Sequence, residues 1–170
     1  LACACIGALL LSPMALADLR ITFSEGAPKD RFTVANISAC DLTEGEVFLD
    51  LSTSPAGLIF DTSSEGAGVE VFQPLEITQG SEHLLTVPQV TDGDSQITLN
   101  FAALPKDAQI SFTIDVDDTI GRREITVDGA EIAGAEFTLK TTHGEYSARF
   151  NQNAIAETEK AFCQSRWPAR

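Results

Sequence analysis

Strict alternation of apolar and polar residues in two neighbouring segments is the feature that most restricts the fold of this chain. In the first segment Ile97, Leu99 and Phe101 are separated by single polar residues. The second segment has apolar residues at every other position: Ile110, Phe112, Ile114 and Val116. A period of two residues is typical of a β-strand with one buried and one solvent-exposed face. We therefore predict a β-hairpin whose strands are joined through the turn-forming residues 102–109.

The register of this predicted hairpin brings acidic residues together at its open end. If Phe101 faces Ile110, the apolar residues of both strands share one buried face, and a slip of one residue would bury polar side chains instead. The same register places Asp94 opposite Asp117. Like charges directly opposite each other on adjacent strands are destabilising. The candidate site at this end contains residues with side-chain oxygen atoms: Asp92, Asp94, Asp115, Asp117, Asp118 and Thr119.

Two interpretations of this candidate site remain open. In the first, the strand ends fray, and water and salt screen the carboxylates. In the second, a calcium ion bridges the carboxylates, because calcium accepts about six to eight oxygen ligands in flexible geometry. The pattern is not that of an EF-hand, since the sixth residue counted from Asp115 is Ile120 rather than Gly and the twelfth is Thr126 rather than Glu.

The rest of the chain after residue 17 shows further short alternating segments separated by turn-forming residues. Roughly ten short strands with turn signals about every eight to twelve residues indicate an antiparallel β-sandwich, similar to a jelly roll. We predict one such domain over residues 18–150. Residues 151–170 are weakly amphipathic, and for them we predict a C-terminal helix or tail.

Residues 1–17 have the composition of a secretory signal peptide. They carry no charge, and an apolar run from Ile6 to Leu11 is followed by Ala15-Leu16-Ala17, a small-x-small cleavage pattern. The alternative is a buried first helix. The run is too short to span a bilayer, and no second apolar run is long enough to do so, which predicts a protein without a transmembrane anchor. We therefore expect a secreted or periplasmic protein that begins at Asp18 after cleavage.

The charge of the chain is strongly negative. All 25 acidic and 11 basic residues follow residue 17, and the formal net charge is −14. Such a charge argues against nucleic acid or an anionic membrane surface as the partner. It is compatible with an extracellular glycan or surface protein as the partner, and it leaves the oligomeric state undetermined.

Two cysteines remain after residue 17, Cys40 and Cys163. In an oxidising compartment an even pair of cysteines favours one disulfide bond, although two unrelated thiols are the alternative. Neither cysteine lies in a CxxC motif or near a histidine with zinc-ligand spacing, so a zinc site is not indicated.

The sequence contains no recognisable catalytic motif. The two histidines, His83 and His143, stand in segments that read as surface loops, and no nucleophile elbow, HExxH or phosphate-binding loop occurs. We therefore predict a protein without enzymatic activity. A hydrolase is kept as an alternative, because a glycosidase needs only two carboxylates at a suitable separation.

Several stretches of the chain together resemble a group of small secreted bacterial proteins labelled "aggregation factor core". The stretches are DLR (18–20), GAPKDRF (26–32), AGLIFD (56–61), GAGVEVFQP (66–74), TDGDS (91–95), FTIDVDDT (112–119) and REITVDGAEIAGA (123–135). The label comes from an adhesion proteoglycan core protein of sponges, so the resemblance implies calcium-dependent adhesion by analogy. It supplies no catalytic or binding residue, and residues from 151 onwards lie outside it.

These observations predict a secreted, non-enzymatic β-sandwich protein that acts in adhesion or extracellular-matrix binding. A calcium site is one of the two open interpretations of its acidic residues. A calcium-mediated carbohydrate-binding module is the first alternative. A hydrolase of unknown type is the second alternative.

Overall fold

The computed structural model describes residues 18–66, 68, 72–120 and 126–158. Within this part the chain forms ten β-strands in two antiparallel sheets, which confirms the predicted β-sandwich. The strands are β1 (Leu19–Ser24), β2 (Asp30–Asn36), β3 (Leu42–Asp50), β4 (Ile59–Asp61), β5 (Glu76–Gln79), β6 (Gln96–Leu104), β7 (Gln109–Asp117), β8 (Glu136–Thr141), β9 (Gly144–Arg149) and β10 (Ile155–Glu157). Two 3-10 helices (Leu51–Thr53 and Ser81–His83) and the single-turn helix α1 (Gly129–Ile132) lie between strands. The predicted signal peptide, residues 1–17, lies outside the described residues.

The larger sheet has the order β10-β1-β2-β7, and both β4 and β5 pair with the remaining edge of β7. The strand β4 pairs with the last residues of β7, from Asp115 to Asp117, and β5 pairs with residues 111–113. The chain therefore leaves the sheet after β4 and returns to the same edge at β5. Its return is fixed by Gln73, whose N–H donates to the Asp61 carbonyl (3.2 Å) and whose carbonyl accepts from the Asp115 N–H (3.3 Å).

The smaller sheet has the order β6-β3-β8-β9 and packs face to face with the larger one. The core between the sheets is rich in phenylalanine, and Phe32 and Phe112 stack with ring centroids 5.1 Å apart. These two residues are directly opposite each other on β2 and β7. The largest fully buried aromatic side chains come from both sheets: Phe32, Phe60, Phe101, Phe112 and Phe137. Alternation of apolar residues along each strand thus supplies the two inner faces of the sandwich.

The predicted hairpin between residues 97–101 and 110–116 is wrong, although both segments are strands. The strand β6 pairs with β3, with Val47 opposite Leu99, whereas β7 pairs with β2. The connection between β6 and β7 therefore crosses from one sheet to the other. Alternation shows which face of a strand is buried but not which strand is its neighbour. Two such strands can meet face to face across a core as well as edge to edge.

The prediction of a helix or tail after residue 150 is also wrong for the part that is described. Residues 155–157 form β10, which pairs with β1 and places Ala156 opposite Ile21. Ala156 is buried, so this short strand extends the sheet and covers one edge of the core. Residues 159–170 lie outside the described part. None of the helices in the described residues is long and apolar enough to cross a membrane.

Candidate functional site

The strand β7 is buried on both faces, which is unusual for a strand of a two-layer sandwich. Its even-numbered residues face the core, and four polar residues on its outer face are between 2% and 6% exposed: Ser111, Thr113, Asp115 and Asp117. Gly68, which lies between β4 and β5, is close to this outer face. A methyl group at Gly68 would lie 2.1 Å from Asp61 Oδ2 and 2.3 Å from Asp117 Oδ2. The backbone at Gly68 therefore rests on these carboxylates and helps to bury them.

Four aspartates meet at this end of β7, and we call Asp61, Asp92, Asp115 and Asp117 the acidic cluster. Asp61 on β4 is directly opposite Asp115 on β7, and Asp117 follows two residues later on the same face. Asp92 arrives from the loop before β6. That loop is fixed to β4, because the Gly93 N–H donates to the Phe60 carbonyl (2.9 Å) and the Phe60 N–H donates to the Asp94 carbonyl (2.8 Å).

Asp92 is held by backbone donors and interacts directly with Asp61. Its Oδ1 accepts from the Thr62 N–H (2.8 Å) and the Ser63 N–H (3.0 Å). Burial, followed by a hydrogen bond with the Asp92 side chain and by the negative charges of Asp117 and Asp92, raises the pKa of Asp61 to about 6. A hydrogen bond between two carboxyl groups requires a proton on one of them. Below about pH 6, protonation of Asp61 therefore allows the two carboxyl groups to share a hydrogen bond.

Asp115 lies in an unfavourable environment for a charged group. Its side chain is 6% exposed, and in the described part of the chain its Oδ2 atom has no hydrogen-bond partner. Burial, followed by the charges of Asp117, Asp30 and Asp61, raises the pKa of Asp115 to about 7. A buried acceptor without a partner costs about 1–3 kcal/mol, and more if it is charged. This oxygen points to a missing proton or cation.

Asp30 adds a further buried carboxyl group beside the cluster. It is the first residue of β2, and its Oδ2 accepts from the Val116 N–H (3.1 Å) while its Oδ1 accepts from the Gly26 N–H (3.2 Å). The Asp30 side chain thus accepts from a backbone N–H of β7 that lies beyond the residues paired with β2. Burial is the main cause that raises the pKa of Asp30 to about 7, and the charges of Glu25 and Asp117 contribute.

The structure brings together part of the predicted site and separates the rest. Asp92, Asp115 and Asp117 lie in the cluster, but the predicted opposition of Asp94 and Asp117 is wrong, because Ile59 faces Asp117. Asp94 instead accepts from the Thr91 N–H (2.7 Å) within its own turn. The Thr119 hydroxyl donates to the Gly57 carbonyl (2.7 Å), and Asp118 is buried directly after β7.

The sequence prediction missed Asp61 and Asp30. Asp61 ends the short apolar segment GLIFD, and Asp30 begins β2. The sequence does not show that either residue belongs to the site, because this depends on which strands pair with β7. In the structure β4 and β2 lie on opposite sides of β7 and place Asp61 and Asp30 beside it. An acidic residue at the end of an apolar strand was the available signal, and it recurs too often in this chain to select these two.

The chemistry open to the cluster is the binding of protons or of a hard cation. In the described residues no group of three or more His, Cys, Asp or Glu side chains is already arranged to hold a metal ion. Calcium binding would therefore require carboxylate side chains to rotate towards a common point. The calcium site stays a prediction.

The predicted disulfide bond is not tested by the described residues. Cys40 is half-buried, and its carbonyl accepts from Asn36 Nδ2 (2.8 Å) and from the Ser38 hydroxyl (2.9 Å). Its expected partner, Cys163, lies outside the described part of the chain. The bridge between Cys40 and Cys163 stays a prediction.

Comparison with known proteins gives only distant likenesses. No protein-family model matches the chain, and no curated protein sequence matches it. The structure is similar to the carbohydrate-binding module CBM3b from the cellulosomal cellobiohydrolase 9A of Clostridium thermocellum, with 16% identity and a TM-score of 0.35, over 75% of this chain and 94% of that one. It is also similar to a family GH18 chitinase from Chromobacterium violaceum, with 14% identity and a TM-score of 0.35, over 85% of this chain and 20% of the chitinase. At these TM-scores neither likeness carries an argument about function, and the resemblance to aggregation factor core proteins stays a prediction.

Proposed function

We propose that this protein is a secreted, non-enzymatic binding module for adhesion or extracellular-matrix attachment, and that its acidic cluster binds calcium. The observation that carries the proposal is the Asp115 Oδ2 atom, which is buried without a hydrogen-bond partner in the described part of the chain. It lies on a face shared with Asp61 and Asp117. A cation at this position would supply the missing partner and would neutralise the mutual repulsion of the carboxylates.

Calcium fits this environment better than a transition metal or magnesium. The cluster offers carboxylate oxygens, and hard oxygen ligands suit calcium and magnesium. Calcium tolerates irregular geometry with mixed carboxylate, carbonyl and water ligands, whereas magnesium demands a nearly ideal octahedron. The carboxylates lie on three separate segments of chain and must rotate into place. Calcium accepts the irregular geometry that results, whereas magnesium does not.

Burial of the carboxylates favours a structural ion over a catalytic pair. Asp115 and Asp117 are 6% and 2% exposed, and the backbone at Gly68 lies over Asp61 and Asp117. A hydrolase that uses two carboxylates must admit its substrate between them. The burial of the cluster favours a structural ion. Such an ion would fix Gly68, between β4 and β5, and with it the neighbouring surface that binds a partner.

Adhesion can be tested with beads coated with the protein. Coated beads should bind each other in calcium and should separate in chelator. Beads coated with Asp115→Asn should bind poorly in calcium, whereas those coated with Asp107→Asn should bind as well as wild type. Asp107 is exposed and precedes β7, at the end of that strand remote from the cluster. Equal attachment in calcium and chelator would contradict a calcium-dependent adhesive role.

A further inference from the structure

The outer face of the smaller sheet carries a shallow groove, on the other sheet from β4 and β7 of the acidic cluster. Its volume is about 410 Å³. We call it the outer groove, and its lining combines charged, amide, hydroxyl and aliphatic groups: Glu44, Glu46, Leu85, Asn100, Lys140 and Thr142. The groove is open, so a ligand would lie along the sheet surface rather than inside a closed cavity.

The floor of the outer groove is a row of three polar side chains on adjacent strands. Glu46 on β3 is directly opposite Asn100 on β6 and also directly opposite Lys140 on β8. Adjacent strands lie about 4.8 Å apart, so the row spans roughly 10 Å across the sheet. It offers an amide, a carboxylate and an ammonium in sequence, which together can donate and accept several hydrogen bonds.

These floor groups are free to exchange partners with a ligand. Lys140 Nζ lies 3.6 Å from Glu46 Oε1, and the two side chains are 52% and 37% exposed. An exposed ion pair of this kind contributes little to stability, about 0–1 kcal/mol. The Asn100 side chain makes no hydrogen bond to the described residues, although its backbone carbonyl accepts from the Leu85 N–H (2.8 Å). A ligand could therefore bind the floor without breaking a strong contact.

Leu85 gives the groove an apolar wall beside its polar floor. Its side chain is 52% exposed, and its backbone hydrogen bond to Asn100 fixes it alongside β6. The opposite end is formed by Thr141 and Thr142, which lead into the turn before β9. A ligand that fits must present hydroxyl or amide groups on one side and C–H groups on the other.

We propose that the outer groove binds a neutral oligosaccharide, and this inference rests on the proposed binding function and names the class of its ligand. Sugar rings present hydroxyls at their edges and C–H groups on their faces, which matches the polar floor and the Leu85 wall. Glu44 and Glu46 outnumber Lys140, so the lining carries a net negative charge that disfavours uronic acids, sulfated glycans and phosphates. Binding in this groove does not require the ion of the acidic cluster.

A glycan array followed by calorimetric titration tests the groove. Wild-type protein should retain neutral glycans and not sulfated or uronic ones, both in calcium and in chelator. Asn100→Ala and Glu46→Ala should each weaken the best neutral glycan about tenfold, equivalent to about 1.4 kcal/mol. Thr98→Ala is the matched control, because Thr98 lies on β6 two residues from Asn100 and on the same face, outside the groove. Thr98→Ala should change the affinity for the same glycan by less than about twofold, compared with about tenfold for Asn100→Ala and Glu46→Ala.

Three outcomes would overturn the groove assignment. The first is an array on which only acidic glycans, or none, are retained. The second is an Asn100→Ala variant that melts like wild type and binds the same glycan with unchanged affinity. The third is loss of glycan binding in chelator, which would move the ligand to the ion site. Failure of the calcium proposal alone would leave binding in the groove intact, so the two proposals can fail separately.

Discussion

Asp61 and Asp115 are directly opposite each other on β4 and β7, and their side chains are 2% and 6% exposed. Two carboxylates in this relationship repel each other, and burial removes the water that would screen them. A proton or a cation bound to the pair relieves this repulsion. The pKa values of about 6 for Asp61 and about 7 for Asp115 mean that both carboxyl groups hold a proton more tightly than an exposed aspartate does.

In chelator, the protein should become less stable as the pH rises from about 5 to about 8. Burial raises the pKa values of Asp30 and Asp115 from 3.8 to about 7. The folded protein therefore binds these protons more tightly than the unfolded chain does, and its stability falls as pH rises. The loss begins above the unfolded pKa and is complete above the folded one. Thermal melting across this pH range measures the effect.

The matched variant for this pH dependence is Asp115→Asn, which removes one of the groups responsible. Its melting temperature should fall less steeply with pH than that of wild type. A wild-type melting temperature that is constant or rises between pH about 5 and 8 would show that the buried carboxyl groups do not hold protons in this way.

Gly68→Ala should destabilise the protein by about 1–3 kcal/mol, since the added methyl overpacks a filled space. It would lie 2.1 Å from Asp61 Oδ2 and 2.3 Å from Asp117 Oδ2, so these carboxyl groups or the backbone at Gly68 must shift. Ser64→Ala, an exposed position in the same segment, should change stability by less than about 0.5 kcal/mol. Chemical denaturation measures both variants, and equal stabilities would show that the backbone does not cover the cluster.

Asn36→Asp should destabilise the protein by roughly 2–3 kcal/mol, because it replaces two donors by a charged acceptor. Asn36 is 1% exposed, and its Nδ2 donates to the Leu104 and Cys40 carbonyls, both at 2.8 Å. The amide thus joins the end of β2 to the end of β6 on the other sheet. Asn153→Asp, at an exposed turn, is the control. A denaturation midpoint for Asn36→Asp equal to that of the control would refute this role.

Cys40 and Cys163 should form a disulfide bond in exported protein. In the chain-entropy estimate, closing so long a loop contributes about 4 kcal/mol or more. Alkylation of non-reduced protein followed by mass spectrometry counts the free thiols. No alkylated Cys40 or Cys163 is expected before reduction, and both should be alkylated after it. Two alkylated cysteines in folded, non-reduced protein would contradict the bridge.

The sequence predicted the strands and their buried faces but not the pairing that builds the site. Alternation placed Leu99 and Phe112 correctly in the core, because the buried face depends only on the residues of one strand. Their predicted pairing in one sheet was wrong. The apolar pattern of each strand is the same whether the two strands lie side by side in one sheet or face each other across the core. Which strand lies beside which depends on contacts far apart in the chain.

A cluster of acidic residues at the end of β7 was therefore predicted, but the strand that pairs with β7 there was not. The predicted pair of like charges was Asp94 and Asp117, whereas the observed pair is Asp61 and Asp115. Asp92 reaches the cluster because its loop is hydrogen-bonded to Phe60, which no local pattern indicates. The burial of Asp117 also depends on Gly68, which lies between β4 and β5 and is distant from β7 in the sequence.

Thermal melting of wild type and Asp115→Asn, each in calcium and in chelator at pH about 7.5, tests the calcium site most directly. An ion that binds only the folded form should stabilise wild type by about 2.7 kcal/mol at a hundred times its dissociation constant. In chelator Asp115→Asn should be more stable than wild type by about 1–3 kcal/mol, because an unpaired buried carboxylate is removed. In calcium it should lose most of the stabilisation, whereas Asp107→Asn should respond like wild type. A wild-type melting temperature that is the same in calcium and in chelator would contradict the site.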